Sequence, residues 1–231
     1  MNSTTYYLGG YNIIKIKPIN FGTLRGKISH TCSSCINFSV FDSWTQSWVN
    51  QKLNDVQKSE LKLNDKKILE IQNWTDSKFQ NLANLFPNLE LAEEFKDLFL
   101  NNVSDIEIYS INFSEKDTNL LINDFDENYK ASEYNFNNGD FILRKNLMKK
   151  TPENPKEKFL GYDLIGVDCD GSFHSIICYN SDEIENKFGL KLNKNGLYDT
   201  VNETTEFRDY LTEKIFDPLP AYICKVNKVN K

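Results

Sequence analysis

Residues 159–180 read FLGYDLIGVDCDGSFHSIICYN, two runs of apolar, β-favouring residues on either side of the dipeptide Asp170-Gly171. The pattern predicts a buried β-hairpin, because Asp-Gly readily adopts the positive φ angles of a two-residue type I′ turn. With that turn Cys169 faces Ser172, Val167 faces His174 and Ile165 faces Ile176, leaving Leu164, Asp168, Phe173 and Ile177 to the other face. Large apolar residues on both faces place the hairpin centrally in a sheet covered on both sides.

Downstream of the hairpin, Ser181 caps a short helix that Gly189 closes, and Asn195-Gly196 makes a tight turn. Asn202 then caps a last helix with Phe207, Tyr210, Leu211 and Ile215 on one side, and residues 221–226 form a closing strand. Upstream, Pro152 and Pro155 among charges make residues 149–158 an exposed connection. Asn138-Gly139 predicts a second hairpin in which Phe136 pairs with Phe141, Tyr134 with Leu143 and Glu133 with Arg144. Residues 106–113 alternate as a strand, and Ser114 with Asp117 forms a capping box opening a short helix through Leu121.

Nearer the start, residues 75–101 read as two helices. Phe79, Leu82, Ala83 and Phe86 stripe the first, Pro87 ends it, Asn88 caps the second, and Leu91, Ala92, Phe95, Leu98 and Phe99 stripe that one. A polar stretch ending near Lys67 reads as exposed, after a helix on which Trp44 and Trp48 share a face. Residues 11–17 read as a strand stopped by Pro18. No internal repeat is evident. The expected fold is α+β, one domain over residues 1–231, with a mixed or mainly antiparallel sheet built on β-hairpins and helices packed against it.

Composition narrows the function. The 231 residues include 16 Phe and 11 Tyr, enough for a substantial core, so the mean hydropathy of -0.54 reflects abundant Asn, Lys and Asp rather than disorder. A formal net charge of -6 argues against a nucleic-acid backbone binder and leaves room for a basic partner. Five cysteines, an odd number, with neither an export signal nor an apolar run of membrane-spanning length, point to a cytoplasmic protein with reduced thiols and no membrane partner.

Three constellations could carry chemistry. His30, Cys32 and Cys35 have the spacing to grip one side of a tetrahedral zinc, with His174 and Cys169 or Cys178 completing it, but no second Cys-x-x-Cys is present. Asp170, Ser172 and His174 offer hydrolase groups without a nucleophile elbow or an oxyanion site. Acids decorate the predicted helices, and of these Asp182, Glu183, Glu185, Glu206 and Asp209 are the candidates for meeting a basic protein. No glycine-rich phosphate loop is present, and no cofactor is expected.

From LGYDLIGVDCDGSFHSIICYN through KLNKNGL to the helix ending near Ile215, the chain resembles bacterial immunity proteins of polymorphic toxin systems, over about residues 160–216. Ahead of the last strand, where those proteins carry an acidic and aromatic segment, this chain has only Asp217-Pro218-Leu219-Pro220. The resemblance implies a non-catalytic protein that neutralises a cognate toxin by direct contact. The alternatives are a metal- or thiol-dependent hydrolase built on His30, Cys32 and Cys35 or on Cys169 and His174, and a structural, self-assembling protein.

Overall fold

In the computed structural model, which describes residues 4–20, 22–27, 55–78, 85–130, 142–167, 173–214 and 221–230, five strands form one sheet in which every pairing is antiparallel. They are β1 (Tyr6–Lys15), β2 (Ile106–Ser114), β3 (Lys158–Val167), β4 (Phe173–Ser175) and β5 (Ala221–Lys228), in the order β1-β2-β5-β3-β4. The described helices are α1 (Asp55–Glu60), α2 (Asp65–Lys78), α3 (Leu89–Phe99), α4 (Glu115–Lys130), α5 (Ile142–Lys149), α6 (Ile177–Phe188) and α7 (Val201–Lys214). The fold is α+β.

Strand alternation divides the core. Tyr109, Ile111 and Phe113 of β2 and Tyr222, Cys224 and Val226 of β5 point to one face, against Leu121 and Phe125 of α4 and Leu143 and Leu147 of α5. On the other face, Ile106 and Ile108 pack on Phe95 and Phe99 of α3, while Leu164 and Ile223 pack on Phe207 and Leu211 of α7. Each fully buried phenylalanine contributes about 2–3 kcal/mol by leaving water. Local chemistry sets the helix ends. Asn88 Oδ1 accepts from Leu91 N at 2.9 Å, Ser114 Oγ accepts from Asp117 N at 3.1 Å, and Gly189 closes α6 at φ 64°.

An internal repeat unseen in the sequence organises the sheet. Gly10-Tyr11-Asn12-Ile13-Ile14 of β1 matches Gly161-Tyr162-Asp163-Leu164-Ile165 of β3, each run following a β-bulge. Tyr11 bridges Phe86 and Tyr162 bridges Tyr198, and in each case a helix opens three residues later, with Phe95 and Phe207 fully buried at matching places. The second strands then pair in the same register: Gly10 lies opposite Ile111 and Gly161 opposite Val226. Between the halves, Ile111 pairs with Val226, Ser110 with Asn227 and Asn112 with Lys225, the reciprocal pairing of a twofold axis through the middle of the β2-β5 ladder. The bulge carbonyl is held alike in both halves, Gly9 O by Asn146 Nδ2 at 3.1 Å and Leu160 O by Asn193 Nδ2 at 2.9 Å.

Several expectations are corrected. Val167 lies opposite Phe173 and Ile165 opposite Ser175, one register step from a two-residue turn, so the connection spans residues 168–172, which lie outside the described residues. The strand after it is short and ends the described sheet, because Ile177 already opens α6. Leu143 and Arg144 sit on α5, not on a second hairpin: Leu143 and Leu147 share its buried side and Arg144 Nη2 pairs with Asp126 at 2.5 Å. Of the helix expected over residues 75–86, residues 75–78 are the end of α2, which begins at Asp65, while Phe86 is not helical and bridges Tyr11; Phe79, Leu82 and Ala83 lie outside the described residues, as do Trp44, Trp48 and the Asn138-Gly139 turn. The stretch before Lys67 contains α1 and buries Leu61. Helix α4 runs past Leu121 to Lys130, and Thr200, not Asn202, caps α7, accepting from Glu203 N at 3.3 Å.

The repeat's glycines carry a steric requirement. A Cβ on Gly161 (φ +148°) would stand 2.6 Å from Leu197 Cβ and 2.7 Å from Tyr198 O, and one on Gly10 (φ +156°) 2.7 Å from Leu85 Cβ. Gly161→Ala and Gly10→Ala are expected to lose about 3 kcal/mol each in urea unfolding, from overpacking plus strain. Gly26→Ala, with nothing near its Cβ, loses about 1 kcal/mol.

Candidate functional site

The zinc-like cluster His30, Cys32 and Cys35 lies outside the described residues, as do Cys169, Asp170 and Ser172. His174 is on β4, opposite Gly166. Among the described residues no three His, Cys, Asp or Glu side chains are grouped to hold a metal ion, and no helix is long and apolar enough to cross a membrane. Cys224 is fully buried against the sheet, and burial pushes its thiol well above the usual range.

The acid candidates differ in their partners. Asp182 Oδ1 accepts from Thr23 N at 3.0 Å, holding the turn Gly22–Leu24 against α6. Glu185 is half-buried and Glu183 lies on α6. Helix α7 presents Glu206 and Asp209 outward while Phe207 and Leu211 face the sheet, as the 3.6-residue period requires. Asp209 Oδ1 lies 3.4 Å from Arg208 Nε, and Arg208 Nη1 lies 3.9 Å from Asp117, whose buried carboxylate accepts from Ile223 N at 3.2 Å and from Ser114 Oγ at 2.6 Å. Its neighbour α6 ends beside it, with Phe188 edge-on to Tyr210 at 4.6 Å.

The repeat gives Glu206 a counterpart, Glu94 of α3, in the shared pattern Glu94-Phe95-Lys96-Asp97 and Glu206-Phe207-Arg208-Asp209. Glu94 accepts from Trp74 Nε1 at 2.9 Å and pairs with Lys78 Nζ at 3.0 Å, and these contacts hold its carboxyl below the usual range. Among the described residues none hydrogen-bonds or pairs with the side chain of Glu206, which is exposed.

A polar cluster that the sequence reading missed lies on the twofold axis, on the sheet face between α3 and α7. From β1, where Leu8 N donates to Thr151 O and Glu153 N to Tyr6 O, residues 151–157 cross to the start of β3. Glu153 and Glu157 turn down onto the sheet; the rest of this segment is exposed. Glu153 takes Lys225 Nζ at 2.7 Å and Asn227 Nδ2 at 3.2 Å, while Glu157 accepts from Ser110 Oγ. The Lys225 ammonium also lies 4.8 Å from the Tyr6 ring and 5.7 Å from that of Phe159. Ser110, Asn112 and Asn227 are all buried, and the two asparagines are equivalent positions of the repeat. In sequence they look like the solvent side of alternating strands; the only signal was Asn following an apolar residue at matching places in β2 and β5.

Searches against known protein families, curated proteins and solved structures find no match to this chain.

Removing Lys225 leaves the three-quarters-buried Glu153 carboxylate without its cation. Lys225→Met is expected to lose about 2 kcal/mol in urea unfolding, and Lys225→Met with Glu153→Leu less than Lys225→Met alone, since the second change removes the stranded charge.

Proposed function

We propose that this chain is a cytoplasmic, non-catalytic binding protein that neutralises a cognate bacterial toxin by direct contact, presenting the acidic side of α7 to a basic surface of that toxin. The observation that carries the reading is the unequal treatment of two equivalent acids. Glu94 is met by an indole N–H and an ammonium from α2, whereas Glu206 faces outward beside exposed Asp209. An acid that the first half satisfies internally is left in the second half for a donor from outside. The net charge of -6 and the resemblance over residues 160–216 support the same conclusion. Complementary charge of this kind raises encounter rates and selects partners.

Coexpression of the tagged chain with the proteins encoded beside its gene is expected to return a stoichiometric basic partner. Recovery of the chain alone, or loaded with metal, counts against the reading. Glu206→Lys with Asp209→Lys is expected to slow association about tenfold at low salt, with the difference shrinking as salt rises. Folding stability should change by no more than about 0.5 kcal/mol, because both side chains are exposed.

A further inference from the structure

We propose that Glu157 keeps its proton in the folded protein and donates it to a buried asparagine oxygen, so that residues 151–157 form a proton-held latch over the twofold axis. Three oxygens of the axial cluster, Asn112 Oδ1, Asn227 Oδ1 and Glu157 Oε1, are buried and lack a hydrogen-bond partner. Each exposes less than 1 Å² to a water-sized sphere, so neither a water nor a hydrated ion reaches them unless the segment moves.

The donors of the cluster serve other acceptors, and none is hydrogen-bonded to these three oxygens. Asn112 Nδ2 donates to Ser110 Oγ and Lys225 O, Asn227 Nδ2 to Glu153, Ser110 Oγ to Glu157, and Lys225 Nζ to Glu153. A proton on a carboxyl is a donor that needs no added space. Both Glu153 oxygens already have donors, Lys225 Nζ at 2.7 Å and Asn227 Nδ2 at 3.2 Å, which leaves Glu157. Ionised, Glu157 would leave all three buried oxygens acceptors without a donor.

The surroundings agree. Burial, then the charge of Glu153, raise the Glu157 carboxyl above its usual range against the opposing hydrogen bonds of Ser110 and Asn154. The charged and titratable groups around it are Glu153 on its own segment, Lys225 on β5 and, on β1, Tyr11, with Glu90 and Glu93 of α3 beyond Tyr11. Burial and then these acids, Glu157 foremost, push the Tyr11 phenol up to about 12. Because the folded carboxyl titrates above its unfolded value, the latch has its full stability below the ordinary carboxylate range and loses it as pH rises through the raised value. Opening uncovers Asn112 and Asn227 on the axis.

The test is a carboxyl titration of the full chain carrying ¹³C-labelled glutamate, followed by NMR, with hydrogen exchange of the 151–157 amides corrected for intrinsic rate. One glutamate should titrate above the exposed ones and vanish from the spectrum in Glu157→Gln. Between the ordinary carboxylate range and that step the opening constant of the segment should rise by up to about tenfold per pH unit in the native chain, level off above the step, and stay flat in Glu157→Gln, whose amide N–H replaces the proton. If Glu157→Gln does not fold, Ser110→Ala serves: losing a hydrogen bond that favours the anion should move the step to higher pH. A late-titrating glutamate that survives in Glu157→Gln, a step unmoved in Ser110→Ala, or exchange independent of the step overturns the latch.

Discussion

The ladder between β2 and β5 is the contact on which the rest of this structure depends. Each strand closes one half of the repeat, β2 against β1 and β5 against β3, and only their mutual pairing makes one sheet of the two halves. Ile111 opposite Val226 centres the axis, and one register step would turn both apolar faces the wrong way. Asp117 reinforces the junction: in the first turn of α4 it donates its N–H to the capping Ser114 Oγ, accepts from Ile223 N on β5 and lies within reach of Arg208 on α7. One buried carboxylate thus ties the end of the first half to a strand and a helix of the second.

Where local chemistry decides, the sequence was a good guide. Asn88, Ser114 with Asp117, and Gly189 set helix ends through bonds to adjacent backbone, and the alternation over residues 106–113 gave β2. Where distant partners decide, it misled. The Asn-Gly pair at 138 and 139 suggested a hairpin, but Leu143, Leu147 and Asn146 have helical spacing and dock on the sheet and on Gly9 O. Phe86 fitted a helical stripe, yet its backbone pairs with Tyr11. The repeat stayed hidden because its parts do not share one offset: Gly10 to Gly161 is 151 residues, Phe86 to Tyr198 is 112 and Ile111 to Val226 is 115. Insertions of unequal length between matched elements erase any fixed period.

The candidate surfaces were legible to different degrees. Glu206 and Asp209 could be placed on an outer helix face from spacing alone, and they are there. Asp182 could not be told from them, since its role depends on Thr23 N, 159 residues away. The axial cluster was out of reach, because Ser110, Asn112 and Asn227 become interior only when a connection elsewhere in the chain lies across them. What looked like a linker supplies Glu153, which pairs with Lys225, and Glu157, which covers Ser110 in the middle of the sheet.

The position of β5 bears on how the chain is made. The strand at the centre of the sheet is the last of the five to leave the ribosome, so until then β2 and β3 each present an open edge to solvent. The first half can pair β1 with β2 early, but the joining contacts span more than 100 residues and must wait, which makes for slow closure and a long-lived, sticky intermediate. Synthesis rate and chaperone supply, more than the final stability of the fold, should then set how much of this protein a cell accumulates.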